Sequence, residues 1–235
     1  WEQKIPTSVH GYIDPQVFVG DKNIKEFALF CNRYFSSGFF IGRDCVDADV
    51  AEKIGRRYGE TIDGKKVVRT RTQEDLDNER KAIIRLIGFF NSPYYRMPES
   101  RMKISYILTP FDTYESQFKM LEEAQLLQEM TGEKCKVETH FWMLTPFPGT
   151  EVRRRYIQHI VEPEDFHNIS VFANCWSYDL GPQVYFMDKA LQLRFTKTQE
   201  HVKDREYYDA MRQALDDAYS GKLQQIPQRQ RRLIP

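Results

Sequence analysis

Leu144-Thr145-Pro146-Phe147-Pro148-Gly149-Thr150 separates two segments of opposite habit. Before it, Lys136 to Leu144 alternates apolar and polar residues and reads as a strand. After it, Glu151 to Ile160 is basic and reads as a helix. The two prolines and the glycine end the strand in a rigid turn. One unit earlier the arrangement recurs. Lys103 to Thr109 reads as a strand, Thr109-Pro110-Phe111-Asp112-Thr113-Tyr114-Glu115 follows, and Asp112 to Met130 gives a helix with the stripe Tyr114, Phe118, Leu121 and Ala124, ended by Gly132. The triplet Thr-Pro-Phe thus stands at two successive strand exits, which is more than turn chemistry requires.

The same rhythm extends backwards. Val9 to Ile13 is a short strand ending at Asp14-Pro15. Asp21 opens a helix with Ile24, Phe27, Phe30/Cys31 and Tyr34 on one face, stopped by Ser36-Ser37-Gly38. Phe39 to Gly42 reads as a buried strand. Asp47 caps a helix with Val50, Ala51, Ile54 and Tyr58 inward and Gly59 at its end. Asp63-Gly64 makes Glu60 to Thr70 an inserted hairpin. Gln73 to Phe90 is a helix with Leu76, Ile83, Ile87 and Phe90 inward, and Asn91 to Ser100 an aromatic loop. Strand–helix alternation implies parallel βα units, which either close into a barrel or form an open doubly wound sheet. Four of them are too few for an eight-fold barrel, which takes about 250 residues.

After Pro163 the rhythm changes. Asn168 to Ala173 and Val184 to Met187 read as strands, Lys189 to Tyr219 as a polar helical region, and Gln224 to Pro235 as a tail with little to bury. The expected division is a domain at 1–165 and an extension at 166–235.

The chain has 235 residues, with Lys+Arg 34 and Asp+Glu 34, a formal net charge of +0. No global field exists to hold nucleic acid or an anionic membrane. Hydrophobic residues at 41% are enough for a packed core. No apolar run reaches the roughly 20 residues of a membrane span. Cys31, Cys45, Cys135 and Cys175 lack zinc or redox spacing, which suits reduced thiols in a cytoplasmic protein. His10, His140, His159, His167 and His201 show no metal-ligand spacing, and His140, in a strand, reads as structural.

In parallel α/β folds the working residues lie beyond the C-terminal ends of strands. Four exits qualify: Asp14-Pro15, Gly42-Arg43-Asp44-Cys45, Thr109 to Glu115 and Leu144 to Thr150. Each also has a plain structural account. Asp14 can simply end its strand. Asp44 can accept from ribose hydroxyls or pair with Arg43 or Arg56. Asp112 and Glu115 fit a capping box. Cys45 suits a small buried site as well as a reactive one.

Leu144 to Thr150 resembles the sixth-strand signature of radical S-adenosylmethionine enzymes, especially the cobalamin-binding class. Ser105 to Glu115 resembles the fifth strand of that family, without its glycines. Phe40 to Asp44 resembles the fourth strand, with Asp44 where the family has a glutamate facing the ribose. Val9 to Asp14 resembles the third. The resemblance spans about residues 7 to 165. It implies the second half of a partial (β/α)6 TIM-like barrel, with an α+β C-terminal extension.

The resemblance further implies that Asp14, Gly42 and Asp44 line the nucleoside and substrate side. It places Glu115 and the Thr109 backbone near the adenosine, and Thr145, Pro146 and Phe147 near the adenine. Trp176, Tyr178 and Tyr185, from the extension, read first as aromatic core packing and second as candidates for a wall at the barrel mouth. The Cys-x3-Cys-x2-Cys loop that holds a [4Fe–4S] cluster in the family is absent from this sequence. The first residue is Trp1 and no signal segment follows it. The expectation is therefore that the N-terminal half of the same protein carries that loop. The whole would use S-adenosylmethionine, a [4Fe–4S] cluster and, in one branch, cobalamin, on a small-molecule or peptide substrate. It would form a 5′-deoxyadenosyl radical or transfer a methyl group. Two alternatives stand beside this: a non-catalytic small-molecule-binding or scaffold module, and an α/β enzyme using Asp14, Asp44 and Asp112 as acid and base.

Overall fold

The computed structural model describes residues 10–19, 23–27, 29, 38–62, 64–95, 100–161, 175–200 and 203–221. The strands are β1 (His10–Ile13), β2 (Gly38–Asp44), β3 (Arg57–Ile62), β4 (Lys65–Thr70), β5 (Ser100–Leu108) and β6 (Cys135–Met143). The labelled helices are α1 (Ala48–Lys53), α2 (Gln73–Phe90), α3 (Tyr114–Glu129), α4 (Glu151–Arg155), α5 (Pro182–Glu200) and α6 (Asp204–Tyr219).

The protein is α/β with an open four-stranded sheet in the order β1-β2-β5-β6. β1 pairs with β2, and β2 with β5, in parallel. Ser100 N donates to Lys134 O at 2.7 Å and Leu144 N to Leu108 O at 2.8 Å. β5 and β6 are thus joined start to start and end to end, and also run parallel. Each strand is added on the same side as the last, so the winding never reverses as it does in doubly wound folds. β3 and β4 form a separate antiparallel hairpin. Among the described residues, no helix is long and apolar enough to cross a membrane.

The chain divides into two compact units. The first comprises Trp1–Ala48, Arg57–Tyr106 and Glu122–His140, and the second Asp49–Arg56, Ile107–Leu121 and Phe141–Pro235.

In the first unit α2 is fixed at its start and along one stripe. Thr72 is its N-cap, and Thr72 and Asp75 form a reciprocal capping box. Leu76, Ile83, Leu86, Ile87 and Phe90 are buried at 3.6 periodicity. Phe90 closes an aromatic cluster, with ring centroids 5.6 Å from Phe39 and 4.7 Å from Tyr95. In the second unit Phe111 packs on Tyr156 at 4.4 Å and on Trp176 at 5.7 Å. There α5 and α6 pack against each other, and Lys197 Nζ reaches Asp204 Oδ1 at 2.6 Å.

Several expectations need correction. The helix after Asp47 ends at Lys53, not Gly59, because Gly55 takes φ 75 and turns the chain, and Tyr58 joins β3. Val184 to Met187 is not a strand but the first turns of α5. Its buried Val184, Met187 and Ala190 keep helical spacing, and Pro182 supplies the start. The helix at Glu151 is short, continued by a 3-10 turn at Ile157–His159. Asp21, Phe30, Cys31, Tyr34, Asp63, Asn168 to Ala173 and Gln224 to Pro235 lie outside the described residues.

Candidate functional site

β2 ends irregularly. Gly42 pairs with Ser105 and Asp44 with Tyr106, so Arg43 is an extra residue opposite none. Directly after it Asp44 takes φ 56, the sole non-glycine residue in the left-handed region among the described residues. Asp tolerates that region better than most residues, at a cost of about 1 kcal/mol or more.

Arg43 is held from two helices. Its Nε donates to Glu123 Oε1 at 2.7 Å, its Nη2 to Glu123 Oε2 at 3.1 Å, and its Nη1 to Glu79 Oε2 at 3.4 Å. Glu79 is on α2 and Glu123 on α3, so both helices cover the same face of the sheet. Tyr106 also donates to Glu123, at 3.1 Å. Arg71 donates to Glu79, and through Nη2 to Asp14 Oδ2 at 3.0 Å. Arg43, Arg71, Glu79 and Glu123 are all buried. Burial opposes the Arg43 charge, but Glu123 and the other neighbouring anions outweigh it and raise its pKa. Two buried cations therefore face two buried anions, and the cluster is satisfied as a unit.

The opposite face of the same sheet is different. Phe40 pairs with Lys103 and Gly42 with Ser105, so these four share a face. On β6 the alternation puts Lys136, Glu138 and His140 on one side, with buried Val137 and Thr139 on the other. Lys103 Nζ lies 3.8 Å from Glu138 Oε2 and 5.6 Å from the centre of the Phe40 ring. His140 Nε2 lies 3.6 Å from the same glutamate oxygen. The Lys103, Glu138 and His140 side chains keep 38, 38 and 30% exposure. Parallel sheets are ordinarily covered with apolar residues on both faces. Here one face carries a cation, a carboxylate and an imidazole within reach of solvent.

In the second unit Asp112 Oδ2 accepts from Thr109 N at 2.7 Å, and its Oδ1 from Ser116 Oγ at 2.9 Å. The reciprocal cap of α3 is made by Thr113 and Ser116, not by Asp112 and Glu115. Thr109 is buried and Glu115 exposed. After β6, Thr145 Oγ1 donates to Met143 O at 3.2 Å, Gly149 takes φ 85, and Thr150 caps α4. Pro146 is buried and Phe147 exposed, whereas the Phe111 of the other Thr-Pro-Phe triplet is packed under aromatic rings. Trp176 is buried and donates through Nε1 to Leu144 O at 2.7 Å, which ties the extension to the strand exit. Tyr178 stacks on Tyr185 at 4.3 Å and donates to Asp188.

Asp14, Gly42 and Asp44 thus fall in the first unit, and Thr109, Glu115, Thr145, Pro146 and Phe147 in the second. Asp14 and Asp44 are linked through the arginine–glutamate cluster, one by Arg71 and the other by the backbone of Arg43. Asp14, read either as a strand end or as a residue of the substrate side, accepts from Arg71 Nη2 at 3.0 Å and from Gln16 N at 3.0 Å. Sequence reasoning missed Glu79, Glu123, Arg71 and the Lys103–Glu138–His140 group. Glu79 had a signal, because it falls on the apolar stripe of α2 between Leu76 and Ile83. The even-numbered polar run of β6 was another.

Cys45, Cys135 and Cys175 are free and buried, and burial pushes the Cys135 thiol up to about 12. Among the described residues, no group of three His, Cys, Asp or Glu side chains is placed to hold a metal ion. No family model, no curated protein and no solved structure matches the chain.

Proposed function

We propose that the chain is the second half of a partial (β/α)6 barrel from a radical S-adenosylmethionine enzyme, holding the nucleoside at the exit of β2 through Asp44. The observation that supports this best is the winding. Parallel strands follow one another in chain order, with α2 and α3 on one face, and the exit of β2 carries a carboxylate in a left-handed conformation. A strained polar residue at the C-terminal end of a parallel strand is where a ligand-binding group is expected. The described cysteines do not fit an iron–sulfur cluster, so in this reading its ligands belong to sequence outside the chain. When bound, the cluster supplies the electron that cleaves S-adenosylmethionine. Asp44 supplies a hydrogen-bond acceptor for ribose, fixed by the Arg43 anchor.

Titration calorimetry of the full-length parent that this reading requires, with S-adenosylmethionine, tests this. Asp44→Ala weakens binding about tenfold or more, the loss of a charge-assisted hydrogen bond of about 1.5–3 kcal/mol. An unchanged Kd removes Asp44 from the site. A wild-type protein that does not bind S-adenosylmethionine favours the second reading, a binding or scaffold module. That reading draws on the bonds of Asp14 and Asp112, whose carboxylates serve the fold itself.

A further inference from the structure

The polar face of the sheet is distinct from the exit of β2, and the barrel reading gives it a role without assigning it a ligand. We propose that Lys103 and Glu138 bind a substrate carrying a carboxylate next to a hydrogen-bond donor, as in a 2-amino or 2-hydroxy acid. The assignment rests on the barrel reading for one point, that this face is the interior.

Three observations carry it. First, the residues are out of place as packing. A parallel sheet of this kind is filled on both faces with Val, Ile and Leu, and the interior of a barrel likewise. Here the helix-covered face is apolar apart from the fully paired, buried Arg43–Glu123–Glu79 cluster, with Phe39, Ile41, Met102, Ile104 and Val137 buried, while the other carries Lys103, Glu138 and His140 half-buried. Second, the contacts within the group are loose. At 3.8 Å the Lys103–Glu138 approach is too long for a hydrogen bond, so the ammonium keeps donors for a ligand. Third, the charges select. Lys103 complements a carboxylate, and Glu138 accepts from an amino or hydroxyl group on the adjacent carbon. Glu138 disfavours a phosphate dianion at the same place, since that would set two like charges side by side. Phe40, beneath Lys103, offers an apolar wall for the carbon skeleton.

The test needs no cofactor. Thermal unfolding of the protein is followed with 2-amino and 2-hydroxy acids at millimolar concentration, with acetate and inorganic phosphate as controls. A ligand of the native state raises Tm by mass action. The expected result is a rise of several degrees with at least one 2-substituted acid, above that with acetate or phosphate. Lys103→Met abolishes the rise, and Glu138→Gln reduces it to the level of acetate. Both side chains are more than a third exposed, so neither variant threatens the fold. A rise with phosphate alone, equal rises in wild type and Lys103→Met, or no rise with any acid overturns the assignment. Failure of S-adenosylmethionine to bind in the calorimetric experiment would instead strike the barrel reading, so the two failures are separable.

Discussion

Asp44 and Arg43 divide one task between backbone and side chain. The guanidinium is clamped by Glu123 and Glu79, the strand gains a residue, and the next one is turned to φ 56. A Cβ resists that conformation by about 1–2 kcal/mol, and glycine does not. Asp44→Gly is therefore more stable than Asp44→Ala by about 1 kcal/mol in urea denaturation, the reverse of the usual order of the two residues. Equal stabilities would mean that Asp44 is not held in the left-handed region. Removing one member of the buried cluster is a larger insult. Arg43→Met removes the cation that bridges Glu123 and Glu79, although Arg71 still pairs with Glu79 and Arg80 Nε lies 3.6 Å from Glu123 Oε2, and should cost about 3 kcal/mol. A loss below about 1 kcal/mol would show that those two arginines hold the carboxylates without Arg43. None of this was legible in the sequence beyond the stray position of Glu79. Arg43 and Glu123 are 80 residues apart, and nothing local marks them as partners.

Elements were legible where caps and periodicity agreed. For α2 the capping box and the stripe point to one helix, and its observed bounds are those expected, Gln73 to Phe90. Where only side-chain type spoke, the reading failed. Val-Tyr-Phe-Met at 184–187 has strand-like composition but helical burial, since packing of α5 against α6 overrides propensity. The cap of α2 also makes a pH prediction. Arg69 holds the Asp75 carboxyl down at about 2, from an ordinary 3.8, by a hydrogen bond at 2.9 Å and a second, shorter one. A depressed acid stabilises the fold above its unfolded pKa and loses that contribution as pH falls through the folded one. The stability gap between wild type and Asp75→Asn is therefore full above about pH 5, shrinks from about pH 4, and is gone only near pH 1, below the folded value. Denaturation midpoints across that range check it, and a gap that does not shrink between about pH 5 and about pH 1 contradicts it.

At the scale of the whole molecule, the parallel α/β class and the strand exits were legible, because alternating units and Thr-Pro-Phe turns leave marks in short windows. The choice between an open and a closed sheet and the division into two compact units were not, since both are settled by contacts between distant segments. The buried thiols give a check on the packing of both units. Cys45, Cys135 and Cys175 should resist alkylation in the native protein at neutral pH and react on unfolding, by peptide mapping. Rapid native labelling of Cys135 would contradict its burial. The central claim, that this fold is half of a radical S-adenosylmethionine barrel, is tested most directly by reading the coding sequence upstream of the Trp1 codon in frame. The account predicts an open frame encoding Cys-x3-Cys-x2-Cys before further βα units. A start codon at or just before Trp1, or an open frame without those cysteines, would contradict it.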